Sequence, residues 1–445
     1  MDLFGTDGVR GEVNADVTPE LALKLGNATK IITDKDDSVL ICTDTRKSGR
    51  TLGYALASGI SSIGRTAYLL DVLPTPAIPI LMEELEAKVG AVVSASHNLA
   101  KDNGIKFFNS RGLKLASNVE EKIEKFIVAR ERSALANWQD IGDIKTVENS
   151  AELYLEALEN RFSEGLPDLS EFSLVMDCGH GATYRIGPRA FEELGAEVFK
   201  IGVNPTGFNI NQNCGSTCLE KLKEEVVTRK ADLGVAFDGD GDRALFVDEN
   251  GNEIDGDRVL YMAAKWLLEE GRLDPPTVVS TVMSNLGLEK SLSELGIDLV
   301  RTQVGDKYVA QEMLERGALV GGEQSGHVIF KEINTTGDGL VTTLMVLRIL
   351  RETGKDISEL AGDMTHYPQV LYNVPTDNKE DFQANREIQQ EVTRWEEEID
   401  ERGRILVRPS GTQDVIRVMV EGHTQELAEE VATRLGQSID DELNA

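Results

Sequence analysis

From Ser38 onward the chain alternates short apolar runs with segments of helical character, a rhythm that few folds accommodate. Residues 38–42 (Ser-Val-Leu-Ile-Cys) read as a strand, followed by the loop 44–50 and a helix expected over 51–61. Residues 66–70 and then Pro74-Thr75-Pro76 repeat the strand–loop–helix order, and 89–93 begin it again. Such alternation predicts an α/β architecture with parallel strands and flanking helices. Upstream, Thr18-Pro19-Glu20 combines an N-cap residue with proline at the first helical position. The pattern continues through a helix over 118–134, a strand over 171–177, helix and strand within 186–202, a helix over 257–270 and strands at 277–282 and 299–302. A last unit begins near 366, with a strand over 370–374, a helix over 379–399 and strands at 404–407 and 416–420. A chain of 445 residues exceeds one ordinary core, so two to four such units are expected.

Within this frame one stretch carries the densest chemistry. Asp238-Gly239-Asp240-Gly241-Asp242-Arg243 lies between the apolar runs 233–237 and 244–247, so three carboxylates share a tight turn between two strands. Concentrated negative charge is costly without a cation, and hard oxygen ligands suit Mg²⁺ or Ca²⁺. An EF-hand also places Asp at positions 1, 3 and 5 of its loop, but here Arg243 stands where that loop requires Gly, and strands stand where it requires helices. An acidic surface turn is the plain alternative in so acidic a chain. Mg²⁺ takes few protein carboxylates and completes its shell with water and phosphate oxygens, which directs the search to phosphate-binding residues.

Four other stretches answer that search. Arg10 sits in the glycine-punctuated opening 4–14, which suits a phosphate cradle as well as an ordinary loop. Ser96 and His97 follow the strand 89–93, where parallel sheets place their sites. No G-x-S-x-G elbow accompanies Ser96, and on an extended segment His97 would point the other way, so a phosphoryl-carrying serine competes with a polar loop. Lys106 lies on the next strand, within reach of this loop. Glu323, Gln324, Ser325 and His327 form a short polar loop able to pair with vicinal sugar hydroxyls, or simply to turn a hairpin. Finally Arg408, Ser410, Thr412, Arg417 and the backbone around Gly411 make a candidate anion nest.

Composition excludes several function classes. The formal charge is −31, from 77 acidic against 46 basic residues, and no basic stripe offsets it, so neither nucleic acid nor an anionic membrane is an expected partner. No apolar run is long enough to span a bilayer, and the first residues lack a basic and an apolar segment. Cys42, Cys178, Cys214 and Cys218 suggest no disulfide framework; Cys214-x3-Cys218 has no second pair to complete a zinc site. A cytoplasmic location is expected.

Together, residues 4–11, 94–98, 103–106, 238–243, 283–287, 321–327 and 408–417 resemble the α-D-phosphohexomutase superfamily, in family order and along nearly the whole chain. Gln324 and Ser94 look more like the branch acting on glucosamine phosphates than like phosphomannomutase. The resemblance implies four domains around a central cleft: three α/β units with mixed sheets (1–148, 149–252, 253–365) and a smaller C-terminal α+β domain (366–445). It also implies interconversion of glucosamine 6-phosphate and glucosamine 1-phosphate by a monomer or homodimer, through a phosphoserine and glucosamine 1,6-bisphosphate as intermediate and activator. Mannose or glucose phosphates are the alternative substrates. Ser96 matches the phosphoserine, and Ser96, Asp238, Asp240 and Asp242 match the ligands of one Mg²⁺, supported by Arg243. Arg10 and Lys106 would act on the transferring phosphoryl with His97 beside them, Lys106 also as a proton shuttle. Glu323 and Ser325, with His327 nearby, would bind sugar hydroxyls, and Arg408, Ser410, Gly411, Thr412 and Arg417 the non-reacting phosphate. Three departures from the family pattern are Leu99 in place of Pro, Cys218-Leu219 in place of His-Pro, and Gln413-Asp414 in place of Glu-Pro.

Overall fold

A computed structural model describes residues 3–5, 7–129, 135–162, 165–379, 381–410 and 414–444. The chain forms two compact units, Met1–Met283 with Ile297–Gly362, and Ser284–Gly296 with Asp363–Ala445.

Among the described residues the first unit contains three sheets. Its N-terminal sheet has strands β1 (Phe4–Gly5), β2 (Gly8–Glu12), β3 (Ser38–Thr43), β4 (Thr66–Val72), β5 (Val89–Val93), β6 (Asp102–Phe108) and β7 (Ile144–Thr146), in the spatial order β1-β2-β6-β5-β3-β4-β7. The strands β5, β3, β4 and β7 run parallel; on the other side β6 pairs antiparallel with β5, and β2 antiparallel with β6. Every residue of β5 is buried, which accounts for its unbroken apolar sequence: a parallel strand covered on both faces has no solvent side to alternate with.

A second sheet has β8 (Ser173–Asp177), β9 (Glu197–Ile201), β10 (Leu233–Phe237), β11 (Ala244–Asp248) and β12 (Glu253–Ile254), ordered β12-β11-β10-β8-β9. Here β10 is parallel to β8 and antiparallel to β11, so the acidic stretch 238–243 is the turn of a hairpin whose first strand is fully buried. The third sheet comprises β13 (Thr277–Thr281), β14 (Asp298–Thr302), β15 (Val320–Gly322) and β16 (Val328–Phe330), ordered β14-β13-β15-β16, with 323–327 as the β15–β16 turn. Three chemistry-bearing loops thus leave the carboxyl ends of parallel strands β5, β10 and β15, where open α/β sheets place ligands.

The second unit is built on an antiparallel sheet of β17 (Gln369–Pro375), β18 (Gly403–Pro409) and β19 (Val415–Gly422), ordered β17-β19-β18. Its core joins Val374, Ile416, Val418 and Val420 to Ile388 and Trp395 of the helix Arg386–Ile399, and to Val431, Leu435 and Ile439 of the helix Gln425–Leu443. The helix Leu286–Glu294 belongs to this unit as well.

Helices expected over 51–61 and 257–270 span Gly49–Ser62 and Gly256–Glu269, and two other boundaries differ by more than two residues. The helix expected over 379–399 starts at Arg386, because the Asn385 side chain accepts from the Glu387 and Ile388 N–H groups and so caps the first turn there. The helix expected over 118–134 spans Ser117–Val128; residues 130–134 lie outside the described residues.

Candidate active site

The Asp238–Asp242 turn brings one carboxylate oxygen from each of Asp238, Asp240 and Asp242 within 4.8 Å of one another. All three side chains are buried. Gly241 has φ +71°, a left-handed conformation that glycine adopts without cost, and this lets the chain reverse between the second and third carboxylates. The turn is anchored from outside: Thr75 donates through its N–H to the Asp240 carbonyl (2.8 Å) and through Oγ1 to Asp240 Oδ2 (2.5 Å).

Ser96 stands at this cluster. Its Oγ donates to Asp238 Oδ2 at 2.6 Å, and the residue is 1% exposed. The segment is not extended as expected: Ser96 has φ +48°, and this left-handed turn swings His97 back so that its Nδ1 lies 3.4 Å from Ser96 Oγ. Arg243 Nη1 is also 3.4 Å from His97 Nδ1. Arginine has only donors, so that nitrogen is the acceptor of a neutral imidazole. Burial, with the Arg243 and Arg10 charges, holds the His97 pKa down at about 4, in keeping with the neutral form.

Lys106, on β6, donates to Asp240 Oδ2 (2.7 Å) and Asp242 Oδ2 (3.4 Å) and lies 3.9 Å from Asp7 Oδ1. Burial alone would lower its pKa, but Asp240, Asp7 and Asp242 outweigh burial and hold the group well above the usual range, as an ammonium. The same balance acts on Asp240, where burial is overcome by Lys106 and by hydrogen bonds from Asp238 and Thr75, leaving its pKa below the usual range. Asp238 goes the other way: burial, then the Asp240 and Asp242 charges, push its carboxyl well above the usual range.

Does this pocket fit a divalent cation? Asp240 Oδ1 and Asp242 Oδ1 are buried and have no hydrogen-bond partner among the described residues. Two orphaned carboxylate oxygens beside a carboxyl that is reluctant to ionise make an oxygen donor set short of positive charge, and hard cations such as Mg²⁺ bind such sets. The residues fit.

A chain of ion pairs extends from Lys106, and sequence reasoning missed its middle. Asp7 pairs with Lys106, Arg10 and Lys114; Lys114 pairs in turn with Asp306, whose Oδ2 is 3.3 Å from His327 Nε2. Asp242, Asp306 and His327 also bring ligand atoms within 4.8 Å of one another, but the Lys114 ammonium already neutralises Asp306, which leaves little call for a second cation. Asp7 lies within the stretch 4–11 that also carries Arg10, and Lys114 follows the strand that carries Lys106, but neither residue type by itself signals a role.

The loop 323–327 abuts the acidic turn, since the Ala244 N–H donates to the Gly326 carbonyl at 3.0 Å. Glu323 Oε1 accepts from the Gly305 N–H (3.2 Å), Ser325 Oγ lies 3.5 Å from Glu323 Oε2, and Gln324 Nε2 donates to Asp255 Oδ2 (3.2 Å). His327 is buried and its Nε2 accepts from the Gly337 N–H at 3.2 Å. In this first unit the structure therefore gathers Arg10, Ser96, His97, Lys106, Asp238, Asp240, Asp242 and Arg243, with Glu323, Ser325 and His327 on the adjoining loop.

In the second unit Arg408 and Arg417 face each other across the β18–β19 pair. Burial, and then the Arg417 charge, lower the Arg408 pKa, the signature of two cations assembled side by side. Ser410 is buried next to them, and its N–H donates to the Val415 carbonyl at 2.9 Å. The expectations for Gly411 and Thr412, and the Gln413 departure, lie outside the described residues. Asp414 accepts from Lys379 at 3.1 Å.

Comparison with known proteins adds an independent line. Four family profiles tile the chain: phosphoglucomutase/phosphomannomutase alpha/beta/alpha domain I over residues 1–133, domain II over 152–251, domain III over 255–367, and the C-terminal domain over 371–437. The phosphoglucosamine mutase of Lactobacillus johnsonii is 44% identical over 452 residues, covering 100% of both chains. That of Carboxydothermus hydrogenoformans is 47% identical over 437 residues, covering 97% of this chain and 98% of its own. Among solved structures, a phosphoglucomutase/phosphomannomutase family protein from Burkholderia thailandensis aligns with a TM-score of 0.81 at 22% identity, over 99% of this chain and 97% of its own. Aspergillus fumigatus N-acetylphosphoglucosamine mutase, in complex with GlcNAc-6P and magnesium, aligns with a TM-score of 0.68 at 17% identity, over 99% and 96%.

Proposed function

The chain belongs to the phosphoglucomutase/phosphomannomutase family, and from that membership we infer that it interconverts glucosamine 6-phosphate and glucosamine 1-phosphate. It is an isomerase of the mutase type, moving a phosphoryl group between two oxygens of one sugar. The observation that carries the mechanism is the 2.6 Å hydrogen bond from Ser96 Oγ to the buried acidic turn.

In this reading phospho-Ser96 gives its phosphoryl to the free hydroxyl of the sugar phosphate. The Oγ–P bond breaks as the sugar O–P bond forms, and the hydroxyl proton ends on Ser96 Oγ, leaving glucosamine 1,6-bisphosphate. After the bisphosphate turns over, Ser96 Oγ takes the other phosphoryl and its proton ends on the sugar oxygen released. Asp238, Asp240 and Asp242, with a phosphoserine oxygen, would hold Mg²⁺, which when bound neutralises charge on the transferring oxygens. Arg10 and Lys106 add fixed positive charge, Arg243 braces the acidic turn, and neutral His97 borders Ser96. Lys106 is also assigned the proton shuttle, since its ammonium lies 2.7 Å from Asp240 beside Ser96. Glu323 and Ser325 are assigned to sugar hydroxyls, with His327 beside them assigned to the catalytic set. Arg408, Ser410, Gly411, Thr412 and Arg417 are assigned to the phosphate that does not react. Residues 1–148, 149–252, 253–365 and 366–445 then form the phosphoserine, metal, sugar and phosphate domains. The four free thiols support a reducing, cytoplasmic setting, with the protein a monomer or homodimer.

The test is mass spectrometry of freshly purified protein together with coupled assays on each hexose phosphate. Phosphate on Ser96, loss of turnover in Ser96→Ala and preference for glucosamine phosphates are expected. Steady release of inorganic phosphate, or full mutase activity in Ser96→Ala, would overturn the reading.

A further inference from the structure

Arg46 lies just beyond the end of β3, outside every constellation named above, and its side chain is fully buried. Its five N–H donors are all engaged. Nε donates to Asp44 Oδ2 at 2.8 Å; Nη1 donates to the carbonyls of Leu99 (2.5 Å) and Asp102 (3.1 Å); Nη2 donates to those of Ser96 (3.0 Å) and Asn98 (2.8 Å). Four carbonyls from Ser96 to Asp102, the first residue of β6, are thus drawn onto a single planar cation. Asn211, from the loop before the helix Glu220–Arg229, donates through Nδ2 to two of the same oxygens, Ser96 (2.8 Å) and Asn98 (2.9 Å). Asp44 completes the arrangement: its Oδ2 also accepts from Ser94 Oγ (2.5 Å), which in turn accepts from the Ser96 N–H (3.0 Å).

Both the N–H and the C=O of Ser96 are therefore held from beneath, while its Oγ points to Asp238. A non-glycine residue at φ +48° persists only where its surroundings over-determine it. Arg46 and Asn211 supply that determination. We propose that Arg46, assisted by Asn211, is the positioning residue that fixes Ser96 for phosphoryl transfer. It touches neither substrate nor the reacting atoms; it sets where Oγ sits. A lysine in its place has three donors on one atom and cannot serve four carbonyls spread around a guanidinium plane. The proposal rests on the mutase reading above, so wild-type turnover is the control: its absence would fail that reading and not this one.

The test compares wild type, Arg46→Lys and Asn211→Ala for kcat, KM and the single-turnover rate at which glucosamine 1,6-bisphosphate phosphorylates Ser96, read by intact mass. Circular dichroism and melting give the folded fraction. Displacing a reacting group by about 1 Å costs on the order of 100-fold in rate. Arg46→Lys is expected to lose about that factor in kcat and in Ser96 phosphorylation with KM nearly unchanged, and Asn211→Ala to lose about tenfold in the same pattern. A residue that merely stabilised the fold would lower the active fraction without altering the per-molecule phosphorylation rate. Wild-type rates per folded molecule in Arg46→Lys would overturn the proposal. Should Arg46→Lys fail to fold, an unimpaired Asn211→Ala would overturn it equally.

Discussion

Replacing Gly239 by alanine probes how tightly phosphoryl transfer depends on the spacing between the serine loop and the acidic turn. An added Cβ would lie 2.5 Å from the Ser96 carbonyl oxygen, 2.7 Å from Asn211 Nδ2 and 2.8 Å from Ile210 Cδ1. Gly239 is not among the residues with positive φ, so alanine meets no backbone penalty and the effect is one of space alone. To regain ordinary contact at 3.4 Å, the Ser96 carbonyl and the turn must separate by roughly 0.9 Å. The Ser96–Asp238 bond would then lengthen from 2.6 Å to the limit of hydrogen bonding or past it. Overpacking of this kind costs about 1–3 kcal/mol of stability, which a domain of ordinary stability survives. A displacement near 1 Å at a reacting group costs on the order of 100-fold in rate, or about 2.7 kcal/mol of barrier. Gly239→Ala should therefore fold, melt a few degrees lower, and phosphorylate Ser96 about 100-fold more slowly in a single-turnover assay with the bisphosphate. If the variant phosphorylates Ser96 within about threefold of wild type, the reasoning that this contact sets the rate is refuted.

Lys106→Met removes the ammonium that lies 2.7 Å from Asp240 and 3.4 Å from Asp242; uncompensated buried carboxylates should cost about 3–5 kcal/mol in denaturant titration and abolish turnover. Mg²⁺ should raise the melting temperature of wild type, and the gain should grow with pH. Asp238 has a folded pKa raised above the unfolded value of about 4, so from there up to that raised value the cation-free folded state holds a proton the unfolded state has lost, and its stability falls as pH rises. Asp240 is lowered in the fold and changes its contribution only below about pH 4, outside that window. Melting curves with and without chelator across pH 5–8 check this; a gain independent of pH would contradict it. Arg408→Ala with Arg417→Ala should raise KM about tenfold or more with a smaller change in kcat, and inorganic phosphate should stabilise wild type but not the double variant.

Much of the fold was legible because it rests on local periodicity. The strand expected over residues 89–93 coincides with β5, since a strand buried on both faces announces itself as an uninterrupted apolar run. The hairpin around the acidic stretch was equally plain, with apolar flanks on both sides of glycine-spaced aspartates. Several helices were passed over, among them Gly339–Thr353 and Gln425–Leu443. The first is buried along most of its length and so offers little amphipathic contrast. The second did have such contrast, with a buried stripe through Ala428, Val431, Ala432, Leu435 and Ile439, and a search for helical period would have found it.

The candidate site divides along a similar line. Ser96, Lys106 and the three aspartates were legible because each sits in a motif whose residue types are unusual for a plain turn. Asp7, Lys114, Asp306, Arg46 and Asn211 were not, because what makes them matter is pairing between segments distant in sequence: Lys114 reaches Asp7 and Asp306, Asn211 reaches Ser96, and Arg46 reaches the carbonyls of Ser96, Asn98, Leu99 and Asp102. Arg46 falls in the loop 44–50, to which the sequence alone assigns no role. In the fold its charge is spent inward, on Asp44 and four carbonyls, and none of its donors is left for a ligand. The positive charge that an acidic protein collects is therefore of two physical kinds. Lys106 and Lys114 neutralise buried carboxylates gathered at the candidate site, while Arg46 holds the backbone of the serine loop. Sequence displays the charge of both alike, and only the carbonyls around Arg46 tell them apart.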